Sequence, residues 1–278
     1  MNSFQKDQLK TRGYTVVDVL TPDACATYRR DLIEWLADKP IPPHGVLSHY
    51  QIGHQPFAWR LRTEPPIVQI FQGLYETDDL VASFDGFGYI PPDMKRRDSD
   101  WFHVDQEPLR PGFACYQGMV ALTSNRERCF RCVPYSHHHF ASHFEAHPPA
   151  KPRQAFQKID LNFYKAKGLT PVAVPLVQGQ MLIWDSRLAH CNRYGKSGET
   201  RAVAYVSYLP RRGGTNKDFI KRHKAFIDRR TTSHWAYPVR LNSLQPQTYG
   251  DATKLINYDS LPPIDYPADL LSEISKFL

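Results

Sequence analysis

The chain of 278 residues lacks the features typical of secreted and membrane-spanning proteins. It begins without a basic, apolar and small-residue signal pattern, and it contains no run of about 18 apolar residues. Its five cysteines are an odd number, which argues against a disulfide framework and for reduced thiols. We therefore expect an intracellular protein, most simply a cytoplasmic one, with no membrane contact.

Glycine is scarcer than proline, with 15 glycines against 23 prolines, which indicates many ordered turns rather than long regular helices. Hydrophobic residues make up 41% and charged residues 23% of the chain, as in a soluble globular protein. We find no internal repeat and no convincing domain boundary. The sequence therefore predicts one domain over residues 1–278.

Basic charge is concentrated in one segment. The formal net charge is +7, and residues 211–230 contain eight lysines or arginines against two acidic residues. A basic patch can attract nucleic acid or a phosphorylated ligand. Within it, however, Phe219, His223, Phe226 and Ile227 fall at helical spacing, which is typical of an amphipathic helix with a charged outer face. We therefore do not expect a nucleic-acid partner.

Two groups of metal-binding residue types have unfavourable spacings. Cys129 and Cys132 resemble part of a zinc site, but no second such pair exists, and in a strand these positions face opposite sides. His44, His49 and His54 are spaced by five, which is off the helical i, i+4 register. We interpret these three histidines as surface or loop residues.

The first hundred residues read as two helices around one strand, then a long loop, a helix over 67–75 and a strand that runs into a turn over 81–92. A helix over 3–13 is predicted to begin at Ser3 and to end at Gly13. A strand at 14–20 precedes a second helix that begins at Thr21. The Pro-, His- and Gln-rich stretch 40–66 predicts a surface loop with a short helix near its end.

From Trp101 onward the chain consists of short apolar segments bounded by turns, which predicts β structure. The predicted strands are 113–122, 129–136, 172–177, 179–186 and 201–210. About 35 residues separate the second strand from the third, which is too long for a hairpin loop. An insertion there could cover a site.

The segment WFHVDQ places two metal-binding side chains, His103 and Asp105, two positions apart. In an extended segment both project from one face and could hold one ion. A later histidine from another strand would complete a two-His-one-carboxylate triad, which leaves coordination positions open on Fe(II). The segment GQMLIWDSRLAH supplies His190, and Arg201 opens the next predicted strand. An arginine near the metal would suit a dicarboxylate such as 2-oxoglutarate.

These motifs resemble the phytanoyl-CoA dioxygenase-like family of Fe(II)- and 2-oxoglutarate-dependent oxygenases. The resemblance includes the His-Val-Asp triplet, the segment CVPYSH in place of a VPGSH-type turn, and the His190 and Arg201 segment, and it covers at least residues 8–210. The family's common glycine in that turn is Tyr135 here, which leaves the local turn geometry open. A hydroxyl residue found in some relatives two positions after the arginine is Val203.

The resemblance implies a double-stranded β-helix, a jelly-roll or cupin-like core that is mainly β, with flanking helices. It implies that His103, Asp105 and His190 bind iron and that Arg201 anchors 2-oxoglutarate, with O2 as the second co-substrate. The predicted regions of the domain are an N-terminal helical support at 1–100, a metal-binding β core at 101–210 and a C-terminal helical extension at 211–278.

Further contacts are expected from residues near these motifs. Tyr205 and Ser207 share strand parity with Arg201 and could face the same interior. Together with Lys95 they are candidates for holding 2-oxoglutarate. Gln117 and Trp184 are candidates for lining the substrate pocket, although a tryptophan in a strand is more often part of the core.

The resemblance implies an oxidoreductase that hydroxylates a small molecule and releases succinate and CO2. Retention of Asp105 favours hydroxylation over halogenation, because a halide would need that ligand position. The positive net charge makes an anionic substrate conceivable. Alternatives are a cupin-like enzyme that uses another metal without oxidation, a degenerate binding protein, and a nucleic-acid-directed oxygenase or binder that uses residues 211–230. The sequence leaves open whether the protein is a monomer or a homo-oligomer.

Overall fold

The computed structural model describes residues 1–95, 98–195, 198–246 and 255–278. Helices cover both ends of the chain and the insertion between the middle strands. They are α1 (Ser3–Arg12), α2 (Pro22–Leu36), α3 (Pro56–Arg62), α4 (Pro65–Tyr75), α5 (Phe140–Ala146), α6 (Leu161–Lys165), α7 (Asn216–Ile227) and α8 (Ala268–Ser275).

The strands are short, with one exception of ten residues near position 200. They are β1 (Tyr14–Asp18), β2 (Val46–Leu47), β3 (Leu80–Ala82), β4 (Phe87–Ile90), β5 (His103–Val104), β6 (Tyr116–Ala121), β7 (Asn125–Cys132), β8 (Gln157–Lys158), β9 (Val172–Leu176), β10 (Gln180–Asp185), β11 (His190–Asn192) and β12 (Arg201–Pro210).

The strands form two antiparallel sheets. The larger sheet has the order β1-β10-β6-β12-β4-β2, with β3 paired to β12, and the smaller has the order β8-β5-β11-β7-β9. Because neighbours in each sheet come from distant parts of the chain, every site built on them combines residues far apart in sequence. The architecture is mainly β with flanking helices and has the double-stranded β-helix core that the resemblance implied.

Alternation along β12 separates two cores. Val203 and the partly buried Tyr205 pack with Met119, Phe130 and Trp184 between the sheets. The even-numbered residues of the strand, such as Ala204 and Val206, join the core under the N-terminal helices. Strand parity therefore places the odd-numbered residues of β12 toward the interior, as the sequence predicted.

The N-terminal elements follow local signals. Asn2, rather than the predicted Ser3, caps α1 by accepting from the N–H of Gln5, and Gly13 ends the helix with a φ of 85°. Thr21 caps α2 as predicted. The helix ends at Leu36.

The segment 40–66 is more ordered than a surface loop. It contains β2 and α3, and His54 is fully buried, with its Nε2 2.9 Å from the carbonyl of Arg230. The interpretation of His54 as a surface or loop histidine was therefore wrong, because its ring packs against Phe84 at 4.8 Å between centroids. The VPGSH-type turn also keeps its geometry: Tyr135 adopts a left-handed φ of 68°, the conformation that glycine adopts most easily.

The basic segment 211–230 mostly forms α7, but its inner face differs from the prediction. Arg222, Ala225 and Phe226 are buried, whereas Ile227 is 60% exposed. Arg222 donates to the carbonyls of Phe277 at 2.7 Å and Leu278 at 3.0 Å. Part of the basic charge therefore serves internal contacts, which supports the interpretation of this segment as structural.

All five cysteines are buried and unpaired. Within the part of the chain that the structure describes, no helix is both long enough and apolar enough to cross a membrane.

Candidate metal centre

Two short strands position the two histidines of the predicted triad. His103 opens β5 and His190 opens β11, and the two are register partners in the smaller sheet. Directly opposed residues on antiparallel strands project from the same face, and the two rings lie 4.3 Å apart between centroids. Asp105 follows β5, and its main-chain N–H donates to the carbonyl of Ser186 at 3.1 Å. Pairing of the strands therefore brings the three side chains together.

The carboxylate of Asp105 lies against both imidazoles. Its Oδ1 is 3.6 Å from Nε2 of His103, and its Oδ2 is 3.3 Å from Nε2 of His190. One ligand atom from each of the three side chains lies within 4.8 Å of the others, and no second cluster of this kind occurs among the described residues. Two imidazole nitrogens and one carboxylate oxygen are the donor set of a facial triad, which leaves further coordination positions open.

Main-chain carbonyls orient both histidines. Nδ1 of His103 lies 3.3 Å from the carbonyl of Trp101, and Nδ1 of His190 lies 2.9 Å from the carbonyl of Leu188. Since a carbonyl only accepts, each Nδ1 carries the proton and each Nε2 keeps its lone pair. The nitrogens that face Asp105 are therefore the ones free to bind a metal.

Aromatic rings hold the imidazoles in place. His103 lies between Trp101, stacked at 4.9 Å and 12°, and Phe156, stacked at 4.5 Å and 26°. His190 stacks on Phe130 at 5.1 Å and 17°. These contacts restrict rotation of both rings and remove water from their faces, so the ligand geometry does not depend on a metal being bound.

Burial sets the protonation of the cluster. It lowers the pKa of His103 to about 3, with His190 acting in the same direction and Asp105 opposing. Burial alone would raise the pKa of Asp105, but the adjacent imidazoles of His103 and His190 outweigh it, so the pKa is lowered. At neutral pH the site thus offers a neutral His103 and an ionised carboxylate, the forms that ligate a divalent cation.

Gln117 supports the carboxylate. Its Nε2 donates to Oδ2 of Asp105 at 3.3 Å from β6 of the larger sheet. The side chain is buried and also lines the adjoining cavity. Gln117, predicted as a pocket residue, therefore lies at the pocket wall and orients a metal-binding group as well.

A cavity of about 330 Å³ opens onto the triad. Its size suits a small molecule and a co-substrate side by side. The remaining lining residues, besides the triad and Gln117, are Val46, Ser48, Asp85, Trp101, Phe130, Phe156, Trp184, Asn192, Tyr205, Ser233, His234 and Asn242.

Arg201, at the start of β12, does not line the cavity itself but contacts Asn192, which does. The side chain is 1% exposed, and its Nη2 donates to Oδ1 of Asn192 at 3.0 Å and lies 3.1 Å from the sulfur of Met119. Gly88 on β4 leaves room for it, because a Cβ there would lie 2.9 Å from Nη1 of Arg201 and 3.2 Å from the hydroxyl of Tyr205. The guanidinium and the phenol therefore converge at one place beside the cavity.

The other two predicted co-substrate contacts, Ser207 and Lys95, do not lie beside the guanidinium of Arg201 and the cavity. Ser207 is fully buried, and its hydroxyl donates to the carbonyl of Tyr116 at 2.8 Å, two residues beyond Tyr205 along β12. Lys95 is exposed after the turn that follows β4. Neither residue lines the cavity. Ser207 has the predicted parity but satisfies its hydroxyl within the sheet, and Lys95 lies outside because the Pro91-Pro92 turn carries it away from the core.

Two buried donors beside the cavity have no hydrogen-bond partner. These are Nε of Arg201 and the indole nitrogen of Trp184, which is 3% exposed. Buried N–H groups of this kind are almost always paired in folded proteins. A dianionic ligand such as 2-oxoglutarate would satisfy both, so the residues present fit this co-substrate and the triad fits its metal.

Sequence reasoning missed six polar residues that line the cavity: Ser48, Asp85, Asn192, Ser233, His234 and Asn242. Asn192 lies two positions after His190 on β11, so strand parity could have identified it. Asp85, Ser233 and His234 line the cavity from segments that showed no motif. Burial lowers the pKa of His234 to about 4, with the charge and main-chain carbonyl of Asp105 opposing.

The fold and the site together have the features of one class of protein. In this class a double-stranded β-helix binds a metal through two histidines and a carboxylate. The model of the family "Phytanoyl-CoA dioxygenase (PhyH)" matches residues 94–203, the part of the chain that carries the triad and Arg201. The resemblance to the phytanoyl-CoA dioxygenase-like family is thereby confirmed.

Known proteins extend the likeness to most of the chain. The Ava biosynthesis cluster protein O of Aspergillus versicolor is 25% identical over 246 residues, which cover 76% of this chain and 79% of that protein. The epimerase SnoN, solved with Fe3+, alpha ketoglutarate and nogalamycin RO, has a TM-score of 0.55 at 20% identity and covers 74% of this chain and 82% of its own.

A third similar protein is EctD from S. alaskensis, solved with 2-oxoglutarate and 5-hydroxyectoine. It has a TM-score of 0.55 at 19% identity and covers 75% of this chain and 76% of its own. The fold is shared with both structures.

Proposed function

We propose that this chain is an Fe(II)- and 2-oxoglutarate-dependent oxygenase that hydroxylates a C–H bond of a small-molecule substrate. The observation that carries the proposal is the cluster of two buried histidines, His103 and His190, with the half-buried Asp105, whose ligand atoms lie within 4.8 Å of one another. The PhyH match and the fold shared with SnoN and EctD support it. When bound, Fe(II) with 2-oxoglutarate and O2 supplies oxidative decarboxylation, in which one oxygen atom enters succinate and the other enters the substrate.

The metal would be held by Nε2 of His103, Nε2 of His190 and a carboxylate oxygen of Asp105. Each ligand is oriented before the metal arrives, the histidines by main-chain carbonyls and the carboxylate by Gln117. Outer contacts of this kind strengthen metal binding because they fix the tautomer and the ring direction.

The co-substrate would be held by Arg201 through its distal carboxylate. Oδ1 of Asn192 accepts a hydrogen bond from Nη2 of the guanidinium, and the hydroxyl of Tyr205 lies close to Gly88, as Nη1 of Arg201 does. We assign no co-substrate contact to Ser207 or Lys95. Trp184 supplies an indole N–H from the same wall, so the predicted substrate contact becomes a candidate co-substrate contact.

The aromatic residues around the site would exclude water from the reacting centre. Trp101 and Phe156 cover His103, and Phe130 covers His190. Water exclusion protects a reactive site and strengthens its electrostatic contacts. Asp105 supports hydroxylation rather than halogenation, because its carboxylate fills the coordination position that a halide would need.

The test is anaerobic addition of Fe(II) and then 2-oxoglutarate to the metal-free protein. We expect a weak visible charge-transfer band, followed on admission of O2 by slow release of succinate. Asp105→Ala should show neither, whereas Asp100→Ala, which removes an exposed carboxylate five positions earlier, should behave as wild type. A wild-type protein that binds Fe(II) but shows no band would reject the oxygenase proposal and favour a non-oxidative metal enzyme.

The reaction outcome requires a separate measurement, since SnoN, with the same fold, is an epimerase. Incorporation of one labelled oxygen atom from O2 into the product is the expected result for a hydroxylase. Product of unchanged mass would indicate an epimerase-like outcome.

We further propose that the chain is one domain and acts inside the cell. Elements of the first, middle and last regions meet in shared cores, as where Leu9, Val206 and Ile274 pack in one cluster. The five unpaired cysteines support a reducing compartment.

A further inference from the structure

Part of the cavity wall has no role in holding the metal or the co-substrate. It carries polar side chains from three separate segments and is referred to below as the acceptor wall. Its members are Asp85, Ser233, His234 and Asn242.

Hydrogen bonds fix the position of Asp85 and leave one of its carboxylate oxygens without a partner among the described residues. Its Oδ1 accepts from the N–H of Gly86 at 2.8 Å, and its carbonyl accepts from Nη2 of the buried Arg62 at 2.8 Å. Gly86 packs so closely on β2 that a Cβ would lie 1.9 Å from the carbonyl oxygen of Leu47. No described residue donates to Oδ2 of Asp85 or forms an ion pair with it, so a ligand in the cavity can reach a fixed, unpaired acceptor.

No cationic side chain in the described part of the chain lines the cavity to pair with the carboxylate of Asp85; the neighbouring cation, Arg62, donates to its main-chain carbonyl instead. Fe(II) and Arg201 balance Asp105 and the two carboxylates of 2-oxoglutarate. None of the residues that line the cavity, all of them described, is a lysine or an arginine. Burial raises the pKa of Asp85 to about 7, with Asp105 adding to the rise and Arg62 opposing it. A cationic ligand would reduce the free-energy cost of an ionised Asp85 in this buried place, and an anionic ligand would increase that cost.

The other members of the wall also offer acceptors. The amide nitrogen of Asn242 donates to the carbonyl of Thr232 at 2.9 Å, which leaves the amide oxygen of Asn242 available to another donor. Nε2 of His234 is buried without a partner, and the ring lies against the main-chain carbonyl of Asp105. The carbonyl accepts a hydrogen bond from Nδ1, so Nδ1 carries the proton and Nε2 keeps a lone pair. An apolar surface that includes Val46 and Phe156 completes the cavity.

We propose that the cavity binds a substrate with a protonated amino group, which donates to Asp85 and its acceptor wall while the carbon skeleton packs on the aromatic side. This substrate class rests on the proposed oxygenase function and deepens it. It replaces the anionic substrate that the net charge suggested, because the basic residues lie elsewhere on the chain.

The test uses matched probes on the protein loaded anaerobically with Fe(II) and 2-oxoglutarate. Two sets differ only in the polar end: hexylamine, hexanol and heptanoate, and phenethylamine, phenethyl alcohol and 3-phenylpropionate. Perturbation of the visible charge-transfer band reports binding without turnover. We expect at least one amine to bind about tenfold or more tightly than its alcohol and its carboxylate, as a charge-assisted hydrogen bond provides.

Asp85→Asn tests the assignment at the residue. Asparagine keeps an oxygen for the Gly86 N–H and removes the charge, so we expect folding and 2-oxoglutarate affinity to be retained and the amine preference to fall about tenfold. Asp269→Asn, which removes a surface charge on α8, should change nothing. Asp85→Lys should shift the preference toward the carboxylate probes.

Equal or better binding of the alcohol or carboxylate by wild type, no binding by either amine, or an unchanged preference in Asp85→Asn would overturn the proposal. These results differ from failure of the proposed function, because a protein that never forms the charge-transfer band fails before any probe is added.

Discussion

The two sheets contribute to the site by different means. The smaller sheet supplies His103 and His190 from strands of two and three residues, whereas the larger sheet supplies Arg201 from a strand of ten. A long strand fixes its side chains through its ladder of hydrogen bonds. The short strands cannot, and there side chain to carbonyl bonds and stacked aromatic rings orient the ligands. Metal binding should therefore be sensitive to single side-chain contacts, and co-substrate binding to the buried guanidinium of Arg201.

The largest effect is expected in the smaller sheet. His190→Ala should lower Fe(II) affinity by more than about 100-fold and abolish succinate release, because loss of a ligand exceeds loss of an outer contact. Isothermal titration with Fe(II) or Co(II) under anaerobic conditions measures the affinity, and circular dichroism checks the fold. His223→Ala, on the exposed side of α7, is the control. Tight metal binding by the His190 variant would mean that the triad is misassigned.

The larger sheet is tested by Arg201→Ala. Loss of a charge-assisted contact should raise the 2-oxoglutarate concentration needed for half-maximal succinate release by about 10- to 100-fold. Metal affinity should stay near wild type, which separates the contributions of the two sheets. Arg212→Ala, which removes an exposed arginine, is the matched control. A normal requirement for 2-oxoglutarate in Arg201→Ala would contradict its role as anchor.

Gln117 bridges the two sheets, so its substitution should affect the metal from the other side. Gln117→Leu removes the donor to Asp105 and should lower metal affinity by about 10- to 100-fold. Gln69→Leu, on the exposed face of α4, should have no effect. The metal titration used for His190→Ala provides the measurement, and unchanged affinity would leave Gln117 as a pocket wall only.

The smallest expected effect is on stability and lies outside both sheets. Burial lowers the pKa of His54 from 6.5 to about 3, so the unfolded chain takes up a proton before the folded one. Stability present above pH 6.5 is therefore lost as the pH falls, by about 2 kcal/mol near pH 5 for this residue. Urea unfolding of the metal-free protein measures it. His54→Gln should flatten the pH dependence and His223→Gln should not; equal slopes in both variants would contradict the assignment.

The parts of the fold that the sequence predicted are those with local signals. Thr21 before Pro22, Gly13 at a helix end and the alternation along β12 each act within a few residues, and each was found. The strands β5 and β11 were not predicted as strands, because two or three residues show no period. Their histidines were found from the His-x-Asp spacing and the need for a third ligand from a distant segment, and the family resemblance then supported the assignment.

The parts that could not be predicted depend on contacts between distant segments. Asp85 lines the cavity because Gly86 fits against Leu47, and Ser233 and His234 reach it from beyond β12. His54 lay within a loop-like sequence, yet the core closes over it. Lys95 and Ser207 were placed near the co-substrate by sequence order and parity, which do not specify how far along a strand the cavity extends.

The stacking of Trp101 on His103 has a practical consequence. The ring centre of the Trp101 indole is 4.9 Å from that of the His103 imidazole, so the indole would lie beside a metal ion held by His103. Its ultraviolet emission should therefore be quenched when a paramagnetic ion such as Fe(II) or Cu(II) enters and should change little with Zn(II). The protein would thus contain an intrinsic optical probe of occupancy. Trp101→Phe, which keeps a stacked ring, should weaken that signal and leave the part that comes from Trp184, whose ring centre is 5.4 Å from that of His190.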